Sequence, residues 1–251
     1  GMALILVGVV VACWGLLPKK AVEGATHDIA VTPPEDAPLT FAHWWLMLVM
    51  VVALVIDIMK PASLGFTLPG MSSEYGLPKH IVAYFPLSAL TGTVVGSVVW
   101  GWLAGLYGRR ASILLSSVMF VGTAICGAMP EFGWNIFMCF LMGCAAGGML
   151  PVTYALLAET MPSKHRGWSL VLVGGLGAVG GYMAASYASA WLQPVFGWRI
   201  MWFLNLPTGL LLVLLSGFIP ESARFLMHRG RLEEARATLK RFGSVVVTRL
   251  A

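Results

Sequence analysis

Apolar residues run almost unbroken through seven stretches of this chain, near 2–17, 44–68, 81–106, 111–129, 134–158, 168–192 and 199–219, with short polar turns between them. A helix of about 20 apolar residues crosses the hydrocarbon core of a bilayer. The pattern therefore predicts six consecutive transmembrane helices over 44–219, and a shorter seventh at 2–17. Backbone groups in lipid must be satisfied within the segment, so an all-α membrane protein is expected. Lys19 and Lys20 follow the first stretch rather than precede it, the reverse of a signal peptide. It reads as a span with its N-terminus outside, or as the last helix of something upstream. Residues 19–42 carry Pro33, Pro34, Pro38 and several acids, and read as an exposed cytoplasmic linker. After Pro220 the period changes. Phe225, Leu226, Leu232, Ala235 and Leu239 recur at helical spacing among arginines and glutamates. That predicts an amphipathic helix, broken near Gly230, lying on the membrane surface or across the ends of the spans. The expected organisation is 1–18 as an extra helix, 19–42 as linker, 43–220 as a six-helix unit and 221–251 as a cytoplasmic tail.

Composition agrees with lipid as the solvent. Hydrophobic residues make up 58% of the chain and charged residues 11%, against about 25% charged in a soluble domain. The net charge of +5 sits mostly in turns and in the tail, which is a topology signal and argues against nucleic-acid binding. Arg109-Arg110, the 164–166 turn and the tail alternate with turns poor in Lys and Arg. The chain then enters Trp44 from the cytoplasm and returns there after Pro220. Cys13, Cys126, Cys139 and Cys144 lie in apolar stretches at spacings that match no zinc pattern. No metal and no cofactor are expected. Gly92 and Gly96, Gly143 and Gly147, and the run Gly174, Gly175, Gly177, Gly180, Gly181 are small-residue surfaces for close helix approach. The last of these suggests a helix that slides or bends.

Three motifs in order resemble the major facilitator superfamily: GWLAGLYGRR at 101–110, ETMPSKHR at 159–166 and PESARFL at 220–226. The second and third, with FGWR at 196–199, resemble its branch of sugar porters, organic-ion carriers and aromatic-acid/proton symporters. The resemblance spans about 42–243. It implies the N-terminal six-helix bundle of a twelve-helix fold, two inverted three-helix repeats around a midplane site. A C-terminal six-helix half, or a second half-transporter, is then the expected protein partner, alongside the lipid bilayer and a small-molecule substrate. It also implies a cytoplasmic gate built from Gly101, Gly108, Arg109, Arg110, Glu159, Arg166, Glu221 and Arg224. Gly105 stands where that family usually has aspartate, Leu106 where a basic residue is frequent, and Cys139 where arginine is frequent.

Asp57 and Lys60 are the sharpest candidates for chemistry. They lie three apart in one span and so share a helix face. A charge inside the membrane costs several kcal/mol and marks function by default. The stretch VIDIMKPASLGFTLPG resembles the first helix of aromatic-acid symporters. Asp57 matches that family's first acid, while Lys60 replaces its second. A cavity-facing lysine suits an anionic substrate, with Asp57 as its partner when the site is empty. Pro61 should distort the helix and free backbone carbonyls. Tyr154 and Tyr182 are candidate cavity residues. The expected function is a proton-coupled symporter of an organic anion in a bacterial inner membrane. The alternatives are a sugar or other metabolite porter of the same superfamily, and a non-transporting sensor or assembly module on that scaffold. No nucleophile–base set or metal motif points to an enzyme.

Overall fold

The computed structural model describes residues 30–31, 37–244 and 246–247. The expected helix 2–17, Cys13 and most of the 19–42 linker lie outside the described residues. Ala30–Val31 (β1) pairs antiparallel with Val246–Val247 (β2). The described elements between them are all helices: α1 Phe41–Tyr75, α2 Lys79–Val82, α3 Tyr84–Tyr107, α4 Arg109–Gly122 continued by a 3-10 helix Thr123–Ala128, α5 Phe132–Thr160, α6 Ser163–Phe196, α7 Ile200–Phe203, α8 Asn205–Ser216, α9 Ala223–His228 and α10 Leu232–Arg241.

Four stretches have the length and apolarity to cross a bilayer: Phe41–Tyr75, His80–Tyr107, Phe132–Thr160 and Ser163–Phe196. The other two expected spans are built in pieces. The one expected at 111–129 is α-helical only to Gly122 and then tightens into the 3-10 turn. The one expected at 199–219 is α7 and α8, joined at Leu204. Their pieces still form continuous apolar columns. α1 runs unbroken through Pro61 and Pro69, so the expected distortion is confined to hydrogen bonding. Without an N–H, Pro61 leaves the carbonyl one turn earlier, that of Asp57, without its helical donor.

Glycine decides which helices meet most closely. On α3 and α5, Gly92 and Gly96 lie against the backbone of Phe140 and Cys144, and Gly143 and Gly147 lie against the backbone of Ala89 and Thr93. A Cβ at any of the four would run into backbone, so the two helices interlock along small residues. The Trp100 indole donates to the Cys144 carbonyl at 2.7 Å across the same seam. The glycines of α6 do the same against α1: Gly177 lies on Leu54, Gly180 on Val55 and Gly181 on Ile58. They serve close packing in an unbroken helix rather than a bend.

The buried apolar residues form two main clusters stacked along the bundle. One takes Leu46–Ile56 from α1 with Ala145–Leu157 from α5, Trp100 and Phe120. The other takes Leu64 and Met71 from α1 with Met138 and Met142 from α5, Phe85, Trp198 and Trp202. Asp57 and Lys60 fall between the two, at the waist of the molecule. The tail lies across the ends of the spans, the second of the two expected placements. Gly230, at φ 70°, separates α9 from α10 as expected.

Candidate functional site

The waist holds the two intramembrane charges. Asp57 is 4% exposed and Lys60 1%. They are near enough for each to feel the other's charge. The Lys60 ammonium reaches across to the break in α4, donating to the Phe120 carbonyl at 2.8 Å and to the Thr123 hydroxyl. It also sits 3.8 Å from the centre of the Phe120 ring. The Thr123 hydroxyl in turn donates to the Phe120 carbonyl at 2.7 Å. A cation is favoured here, where α4 turns its last carbonyls outward and its dipole is negative. Tyr154 packs its hydroxyl against Gly174 of α6. Tyr182 is 61% exposed on α6, next to Gly181, which packs on Ile58 and Met59. Cys139 and Cys144 are buried on α5, and no metal-holding group of His, Cys, Asp and Glu occurs among the described residues.

At the basic end the gate residues converge. Arg109 pairs with Glu159 at 2.7 Å and donates to the Ala104 carbonyl at 3.1 Å. Glu221 receives the backbone N–H of Arg109 at 2.7 Å, of Arg110 at 3.3 Å and of Ser222 at 3.0 Å. It thus caps the N-terminus of α4, where N–H groups lack helical partners and the dipole favours an anion. Gly108 makes this possible. Its φ is 101°, and a Cβ there would strike the Glu221 carboxyl and the Phe225 ring. Burial still outweighs the three donors, and holds the Glu221 carboxyl above the ordinary glutamate range. The other charged residues of the expected gate make these contacts. Glu159 binds Arg109, Glu221 binds the α4 backbone, Arg166 donates to the Met161 carbonyl at 3.5 Å, and Arg224 is exposed. Gly101 and Gly105 face open space.

Two further joints escaped the sequence reading. His43, fully buried, accepts the Thr40 amide at Nδ1 (3.1 Å), so Nε2 is the protonated nitrogen that donates to the Thr160 carbonyl at 3.2 Å. Phe242 of the tail packs edge-on against the ring, 5.0 Å between centroids. At the opposite end Glu74 pairs with Arg199 and accepts the Trp198 indole N–H at 2.8 Å. Arg199 and Tyr75 both donate to the Met129 carbonyl, at 3.2 and 2.9 Å. Opposite charges in two otherwise charge-poor turns were the available signal for this second joint.

Residues 51–248 match the family model described as "Sugar (and other) transporter". The 4-hydroxybenzoate transporter PcaK of Acinetobacter baylyi is 30% identical over 78% of this chain and 43% of its own length. The niacin transporter NiaP of the same organism is 26% identical over 80% of this chain and 46% of its own. The chain therefore spans less than half the length of these relatives. Among solved structures, the inward-open xylose transporter XylE from E. coli superposes with a TM-score of 0.68 at 20% identity, covering 79% of this chain and 52% of that one. A double-tryptophan XylE mutant gives a TM-score of 0.70. These relatives are transporters, not enzymes. On the family match and these relatives, and with a run of apolar helices in the same order, the chain belongs to the sugar (and other) transporter family of the major facilitator superfamily, and corresponds to the N-terminal half of its fold.

Proposed function

We propose that the protein is a proton-coupled symporter of a small organic anion, an aromatic acid or another carboxylate, working by alternating access. The observation that carries this reading is the waist pair. A buried carboxylate one turn from a buried ammonium can load a proton and an anion at the same level of the bundle. Asp57 is the proton-carrying group and Lys60 the positive charge that selects an anion. The similarity to a 4-hydroxybenzoate transporter and a niacin transporter supports a small aromatic acid as cargo.

The basic end faces the cytoplasm in this reading, and the Arg109–Glu159 and Glu221 contacts are the inner latch. The membrane is the inner membrane of a bacterium. The apolar outward faces of α3 and α6, with Val94, Val98, Val171 and Val179 exposed, meet lipid and a second six-helix half. That half is either a C-terminal continuation or a separate half-transporter, and it completes the cavity.

The test is uptake into proteoliposomes by the protein together with its second six-helix half, under an imposed proton gradient, with labelled 4-hydroxybenzoate, nicotinate and xylose presented in parallel. Gradient-dependent uptake of a carboxylate, abolished in Asp57→Asn, is the expected result. Uptake of xylose alone moves the assignment to a sugar porter. No uptake of any of the three by inserted protein favours a non-transporting scaffold.

A further inference from the structure

We infer that Lys60 is a positioning residue for α4, and that it links the charge state of Asp57 to the break in that helix. This rests on the reading of Asp57 as the proton-carrying group. The geometry is specific. α4 stops being α-helical at Gly122, and its C-terminal end tightens into the 3-10 turn Thr123–Ala128, as helix ends commonly do. There the buried Phe120 carbonyl receives the Thr123 hydroxyl and the Lys60 ammonium besides the Thr123 backbone N–H, while the ammonium also contacts the Thr123 hydroxyl and lies over the Phe120 ring. All four partners, Asp57, Lys60, Phe120 and Thr123, are buried.

The consequence is a competition. Lys60 sits one turn along α1 from Asp57, and both side chains are buried, where two charges this near interact strongly. While Asp57 is ionised, part of the ammonium's attraction goes to the carboxylate. When Asp57 is neutral, the ammonium depends more fully on the end of α4 and holds the break tighter. A hydrogen bond to a charged donor is roughly twice as strong as a neutral one, so the difference falls on the Lys60 bond to the end of α4, beside the neutral bonds made there by the Thr123 hydroxyl and backbone N–H. Protonation at the waist is thereby felt on a neighbouring helix without any group crossing the cavity.

The experiment is amide hydrogen exchange of the protein in lipid nanodiscs, read over residues 120–128, in four variants. Lys60→Met should raise exchange there by about tenfold or more, since one charge-assisted bond is lost. Lys60→Arg, which keeps the donor, should restore protection. Asp57→Asn should slow exchange at the same amides, and that slowing should vanish when Lys60→Met is also present. Exchange over α5 serves as the control for folding. Unchanged exchange at 120–128 in Lys60→Met overturns the positioning role. An Asp57→Asn effect of equal size with and without Lys60 overturns the link. Should Lys60→Met loosen every helix, Thr123→Val carries the test: it must raise exchange only at 120–128, and a uniform change there too defeats the proposal. Failure of the transport reading shows separately, as gradient-driven uptake that survives Asp57→Asn.

Discussion

Glu221 shows how one side chain decides the character of an end. Its carboxylate serves as an N-terminal cap on α4, yet burial holds its carboxyl above the ordinary range. The sign follows from that direction. A raised pKa in the folded protein means the folded state favours the protonated form. That contribution to stability is fully present below the ordinary glutamate value, and is lost as pH rises through the raised one. Glu221→Gln mimics the neutral form, so it should unfold at no lower temperature than the wild type at neutral pH, with a flatter pH dependence between mild acid and neutrality. Glu221→Ala should cost about 1–3 kcal/mol, because buried N–H groups lose their acceptor. Thermal unfolding in detergent across that pH range reads both. Asp57, Lys60, Glu221 and Arg109 were legible in the sequence, because charge in or beside an apolar run stands out. Their partners were not. Nothing in the spacing says that Lys60 reaches Phe120, sixty positions away, or that Glu159 pairs with Arg109, fifty positions away.

At the scale of elements, hydrophobic runs located every long helix with its ends within about seven residues, since lipid demands the same length and apolarity each time. They missed the two built in pieces. A 3-10 tightening at Thr123 and a joint at Leu204 leave the apolar run intact, so composition carries no trace of them. The glycine pairs were visible as small-residue surfaces, but which pair met which became clear only once α3 and α5 were seen side by side. Gly143→Ala should therefore be strongly destabilising, since its Cβ would meet the Ala89 backbone. Gly105→Ala meets open space and should stabilise α3 by up to about 1 kcal/mol through helix propensity alone. Unfolding temperatures of the two variants, measured side by side, check the contrast. Equal tolerance would mean that the helices can separate at this seam.

At the scale of the whole molecule, four polar joints tie helices to one another, one of them the His43–Thr160 contact between α1 and α5. The waist ties α1 to α4, the basic end ties α4 to α5 and to the tail, and the Glu74–Arg199 end ties α1 to the start of α7. The two end joints are partly exposed ion pairs and caps of modest individual strength, as suits contacts that must open and re-form. The waist pair is buried, and it lies between two apolar clusters. A transporter that moves a proton with its cargo needs its titrating group at such a level, reachable from one side at a time. The measurement that tests this most directly compares two fluxes of one carboxylate in Asp57→Asn proteoliposomes. If Asp57 carries the proton, gradient-driven accumulation is lost while equilibrium exchange of labelled for unlabelled substrate persists. Accumulation that continues at the wild-type level in Asp57→Asn would contradict the account.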